Sequence, residues 1–193
     1  MKKVKYSKRQ IELIQDSKYL LQKNDLLLTI EREVIHLGKE YQENYSHLLE
    51  ISPPAKLSKG ENLKGLPYRV MDFPRIFSQE DVFAIRTIVW WGKQISVTLH
   101  LKGKYLKLFK PQLNSSLASL ISKDYLFSVD GDEWEHDVKA LNYTSVQELN
   151  MKHEHFEFLK IATFKPISAV NDLSSFHKKS VKEILSFIGY DSN

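Results

Sequence analysis

The run Ala84-Ile85-Arg86-Thr87-Ile88-Val89-Trp90-Trp91, then Gly92-Lys93, then Gln94-Ile95-Ser96-Val97-Thr98-Leu99-His100-Leu101 decides the fold class. Both flanks are rich in β-branched and aromatic residues, which suit a pleated, half-buried surface. Glycine stands first in the two residues between them, as a type II′ turn requires. The segment therefore reads as a β-hairpin in which Trp91 pairs with Gln94. In that register Ala84, Arg86, Ile88 and Trp90 oppose Leu101, Leu99, Val97 and Ile95 on a core face, while His100, Thr98, Ser96 and Gln94 share the other face with Ile85, Thr87, Val89 and Trp91. Arg86 and His100 then point to opposite sides. A guanidinium on an apolar face needs a carboxylate or an anion, so Arg86 reads either as an anion clamp or as the partner of Asp72, Asp130 or Asp132.

Before the hairpin, the apolar period is helical. Ser7 with Gln10 forms a capping-box pattern, and Ile11, Ile14 and Leu21 follow on one side. Asn24-Asp25 interrupts the pattern, and Leu27, Ile30, Val34, Leu37, Tyr41, Tyr45 and Leu48 then step by three and four. The expectation is an antiparallel helical hairpin over residues 1–50. Residues 51–66, with Pro53-Pro54, Gly60 and Gly65, read as a linker, and residues 67–193 as an α+β domain.

After the hairpin, Pro111 is expected to open a helix through Leu120. Tyr125–Val129 and Phe156–Phe164 read as strands, the latter inside the sheet, and Thr144–Leu149 as a helical turn. Asp172–Ile188 reads as an amphipathic helix. The sum is the α+β class: an N-terminal antiparallel helical hairpin followed by a mainly antiparallel sheet with packed helices.

The chain has 193 residues, 42% of them hydrophobic and 27% charged, which is a globular balance. It has no cysteine, so disulfides, thiolate nucleophiles and Cys-ligated zinc are excluded. No apolar run approaches the roughly 20 residues of a membrane span, and the start lacks a signal peptide's apolar region, so a cytoplasmic, soluble protein is expected. Charge is uneven: 11 basic against 8 acidic residues in 1–60, 10 against 4 in 61–123, and 7 against 12 in 124–193. Lys102, Lys104, Lys107 and Lys110 alternate with rings, but no nucleic-acid motif accompanies them. Nucleic acid is disfavoured as a partner.

No nucleophile elbow, Rossmann glycine pattern, kinase set or His-Glu-x-x-His occurs. Two functional classes remain. The first is a non-catalytic protein that binds a small ligand or a protein partner, a second copy included, through Arg86, Trp91 and His100 and without a cofactor. The second is a metal-dependent hydrolase. His153, His155 and Glu157 share one side of an extended segment, and with His136 they supply imidazoles and a carboxylate of the kind that hold a divalent metal.

Overall fold

The structure is a computed structural model and describes residues 4–123, 125–140, 142–145 and 156–190. Two N-terminal helices precede a seven-stranded sheet, and three further helices pack with it, which is the expected α+β class. Among the described residues no helix is long and apolar enough to cross a membrane.

Helix α1 (Lys8–Gln15) starts at the expected capping box, with Ser7 and Gln10 bonding reciprocally. The helical hairpin does not form. The chain breaks at Asp16, and α2 (Ser17–Asn44) runs straight through Asn24 and Asp25. Interior Asn and Asp each cost a helix less than about 1 kcal/mol. Burying the stripe Leu27, Ile30, Val34 and Leu37 contributes roughly 1.5–3 kcal/mol for each side chain, so packing overrides the local signal. The stripe packs on the chain's own sheet. Ahead of it, Ile11, Leu13, Ile14, Tyr19, Leu20 and Leu21 are exposed.

The expected linker contains a strand, β1 (Lys56–Leu63), paired with β2 (Leu66–Phe77) from Lys56↔Asp72 to Leu63↔Leu66. Its residues are polar because it is an edge strand, where lysines discourage further pairing. β2 continues through Pro74, which falls within a register shift between Asp72 and Arg75. β3 (Val82–Trp90), β4 (Gln94–Lys102), β5 (Leu126–Ser128), β6 (Thr144–Ser145) and β7 (Phe158–Pro166) complete an antiparallel sheet in the order β1-β2-β3-β4-β7-β5-β6. β7 lies inside the sheet, as its apolar composition predicts. α3 (Lys104–Ser115) starts earlier than expected and carries Pro111 inside it, and α4 (Leu117–Ser122) follows. Of the helical turn expected at Thr144–Leu149, Thr144 and Ser145 form β6, and the remainder lies outside the described residues. α5 (Leu173–Phe187) closes the chain with the expected apolar stripe.

The central hairpin has a three-residue loop, Trp91-Gly92-Lys93, and Trp90 pairs with Gln94. Gly92 has φ +69°, in the left-handed region that glycine adopts without strain. This one-residue change of register turns every β4 side chain to the other face of the hairpin from the one expected. Ile85, Thr87 and Val89 now stand with Leu99, Val97 and Ile95 on the side that packs against α2, α3 and α5. Ala84, Arg86 and Ile88 stand with His100, Thr98 and Ser96 on the opposite side. Arg86 and His100 therefore share a face.

Candidate site on the polar face of the sheet

Strands β3, β4 and β7 place Arg86, His100 and Lys160 on this face. Arg86 of β3 lies opposite Thr98 of β4, and His100 of β4 lies opposite Lys160 of β7. Cross-strand neighbours bring Cβ atoms about 5 Å apart, so Thr98, His100 and Lys160 form one patch beside Arg86. The segment after β5 crosses the patch. Its Glu135 carbonyl accepts from the Lys160 ammonium, and its His136 carbonyl accepts from Gln94 Nε2 at 3.0 Å. Its Trp134 ring meets the His100 ring edge-on at 5.4 Å. Beneath the segment is a cavity of about 10 Å³ lined by Phe77, Ala84, Arg86, Thr98, His100, His136 and Lys160. That is room for one water-sized group.

Arg86 has its carboxylate. Nε donates to Asp72 Oδ1 at 2.7 Å and Nη2 to Asp72 Oδ2 at 3.0 Å, a bidentate pair across adjacent strands. Of the three carboxylates expected as candidates, Asp72 is the partner. Nη1 lies 3.3 Å from His136 Nε2. A guanidinium only donates, so His136 Nε2 accepts and its proton sits on Nδ1.

Both imidazoles are neutral at pH 7. Burial pushes His100 down to about 3, reinforced by Lys160, Arg86, His136 and Lys102. Burial, Arg86 and Lys160 push His136 down to about 3 as well. His100 Nε2 is 3.7 Å from Glu133 Oε2, beyond hydrogen-bond reach, and both atoms are buried without a hydrogen-bond partner among the described residues. Because the imidazole is neutral, this contact is not an ion pair. Glu133 instead pairs with Lys102 at 3.1 Å.

Lys160 is 2% exposed. Besides the Glu135 carbonyl, its ammonium lies 5.0 Å from the centre of the Tyr143 ring. Among the described residues no carboxylate is within ion-pair distance of it. Burial first, and then Arg86, push its pKa down to about 8, so it remains mostly charged at pH 7. A buried ammonium with no paired carboxylate is costly and rare.

Of the residues singled out from the sequence, Arg86, His100 and His136 come together here. Trp91 does not: it lies in the hairpin loop and packs against the helix-side core. Glu157 is exposed, and His153 and His155 lie outside the described residues. Among the described residues no group of three or more His, Asp or Glu could hold a metal. The guanidinium beside His136 also opposes a cation at that imidazole. Lys160 was not anticipated as a site residue. The one sequence signal was a lysine interrupting an otherwise apolar strand. Compared with protein-family models, curated proteins and solved structures, the chain matches none, so the chemistry of this patch is legible only in its own residues.

Proposed function

We propose that the polar face binds the anionic group of a ligand, a phosphate or a carboxylate, between Lys160 and Arg86 under the segment that carries Glu133–His136. The observation that supports this most is Lys160: a fully buried ammonium in the middle of a sheet, one of whose donors meets a carbonyl and none a described carboxylate. An anion supplies the missing counter-charge and accepts the remaining donors. Arg86, held rigid by Asp72, adds fixed positive potential, and Phe77 and Trp134 flank the opening for the uncharged part of the ligand.

Lys160→Met separates binding from stability. The pKa fall from 10.5 to about 8 corresponds to about 3 kcal/mol of destabilisation at pH 7, at 1.36 kcal/mol per pH unit. The unpaired Glu135 carbonyl left by the substitution costs about 1 kcal/mol. The variant is therefore expected to unfold at a higher temperature than wild type, by about 2 kcal/mol, in phosphate-free buffer. Added inorganic phosphate should raise the wild-type midpoint and leave that of Lys160→Met unchanged. Equal phosphate responses in the two proteins would remove the site.

A further inference from the structure

Resting on that reading, the geometry points to RNA as the ligand and to a reaction at this site: transfer of a ribonucleotide phosphodiester to its own 2′-hydroxyl, with His100 as base and Lys160 as acid. Two features beyond the cation cluster support a nucleic acid. Phe77 and Trp134 are 40% and 45% exposed, unusual for such large rings, and they stand 6.2 Å apart at the rim. Phe77 also lies 5.4 Å from the Arg86 guanidinium, and Trp134 lies against His100. Exposed rings beside buried cations are the elements of a single-strand surface, rings for bases and charge for phosphate. These are not the lysines of 102–110 on which the sequence-based expectation against nucleic acid rested.

The second feature is the chemistry of the lining. It holds two imidazoles, a lysine and an arginine, and among the described residues the nearest carboxylates are taken up, Asp72 by Arg86 and Glu133 by Lys102. Such a set moves protons and stabilises phosphoryl charge, and it needs a substrate that brings its own nucleophile. A ribose 2′-hydroxyl is that nucleophile. His100 Nε2 is buried, neutral and without a hydrogen-bond partner among the described residues, whereas His136 Nε2 is engaged by Arg86, so His100 is the free base. Lys160 stands directly opposite it on the next strand.

In the step, the 2′-oxygen attacks phosphorus while His100 Nε2 takes its proton. The P–O2′ bond forms and the P–O5′ bond breaks. The Lys160 ammonium gives a proton to the departing 5′-oxygen, leaving a 2′,3′-cyclic phosphate and a 5′-hydroxyl. The imidazolium and the amine then re-equilibrate through solvent. Arg86 Nη1 and Lys160 face the phosphoryl oxygens. Since the cavity holds one water-sized group, phosphorus reaches His100 only when Glu133 and Trp134 shift outward.

The groups facing His100 are Arg86 on β3, Lys102 on β4, Lys160 on β7, and Glu133 and His136 on the covering segment. Those facing Lys160 are Arg86 on β3, His100 on β4, and Asp132, Glu133, Glu135, His136 and Tyr143 on the covering segment. With base and acid titrating near 3 and 8, cleavage is expected to hold level through neutral pH and to fall above about pH 8.

The test incubates purified protein, in EDTA and low salt, with a labelled oligoribonucleotide and with DNA of the same sequence, alongside Lys160→Met purified identically. The expected result is RNA cut to fragments ending in cyclic phosphate, DNA intact, and a loss of about 10²–10⁴-fold in His100→Gln. His100→Gln should keep the phosphate-induced rise in unfolding midpoint, which shows that it folds and binds. If wild type leaves RNA intact while phosphate still stabilises it, the reaction is overturned and the anion site stands. If phosphate has no effect either, both fall. Equal cleavage of DNA would overturn the 2′-hydroxyl step, and equal cleavage by the Lys160→Met preparation would overturn the assignment to this site.

Discussion

Titrated from pH 7 to pH 4.5, the protein is expected to unfold. Among the described residues His100 and His177 are buried, His136 is half-buried, and all three are neutral: His100 and His136 titrate near 3 and His177 near 4, each chiefly because desolvation penalises the imidazolium. In the unfolded chain each takes up its proton near 6.5. Between those values the unfolded state binds more protons, so stability is complete above pH 6.5 and is lost as pH falls below it. Each histidine contributes about 1.4 kcal/mol of loss per pH unit. At pH 5 the three together remove about 6 kcal/mol, which is comparable with the whole stability of a typical domain. Far-UV circular dichroism against pH should show a transition between about pH 6 and 4.5. His177 sits in the helix-side core, with Nδ1 3.0 Å from the Thr87 hydroxyl, and Lys178 adds to its fall while Glu40 opposes it. His177→Gln should move the midpoint to lower pH. An unchanged circular dichroism signal down to pH 4 would show that the imidazoles are not buried as described.

Asp72→Ala should cost about 3 kcal/mol, and the double variant Asp72→Ala with Arg86→Met should recover most of it. The Arg86 and Asp72 side chains are 19% and 10% exposed and meet through two hydrogen bonds. Removing the carboxylate strands a partly buried guanidinium next to Lys160, with two like charges and no counter-ion. Removing both groups leaves an apolar side chain where Phe77 already covers the position. Breaking a buried pair is generally far more destabilising than replacing it, which sets the direction of both results. Urea denaturation of the two single variants and the double variant measures the coupling. A double variant no more stable than Asp72→Ala alone would mean that the pair is held for some reason other than charge.

The α+β class, the central hairpin, the inner position of the last strand and the closing helix are legible in the sequence because each depends on local period and composition. The unbroken course of α2 was not legible. Asn24-Asp25 resembles a helix end, and only the sheet beneath Leu27–Tyr41 makes the continuous helix the better solution. β1 is hidden for the opposite reason: Lys56-Leu57-Ser58-Lys59-Gly60-Glu61 has little apolar signal, and its pairing with β2 makes it a strand.

The largest consequence came from one residue at the hairpin loop. Counting Trp91 into the strand gives a face of nearly continuous apolar pairs, which is the more attractive register on hydrophobicity alone. The observed register leaves Arg86, Thr98, His100 and Ser96 on one face. That face is tolerable because Asp72 from β2, the Glu135 and His136 carbonyls and the Trp134 ring come to cover it. Those partners lie 14 or more residues away, outside the hairpin, so alternation within it carries no trace of them. Arg86 and His100 were each recognisable as unusual, but their sharing of one site depended on the register.

The most direct test of the anion site is a crystal structure of the protein grown with inorganic phosphate and without competing anions. Phosphate is expected under the Glu133–His136 segment, with oxygens within hydrogen-bond distance of Lys160 Nζ and on the side of Arg86 Nη1, and with Trp134 displaced from His100. A structure in which Lys160 is paired with a carboxylate of the chain, and phosphate binds elsewhere or not at all, would contradict it.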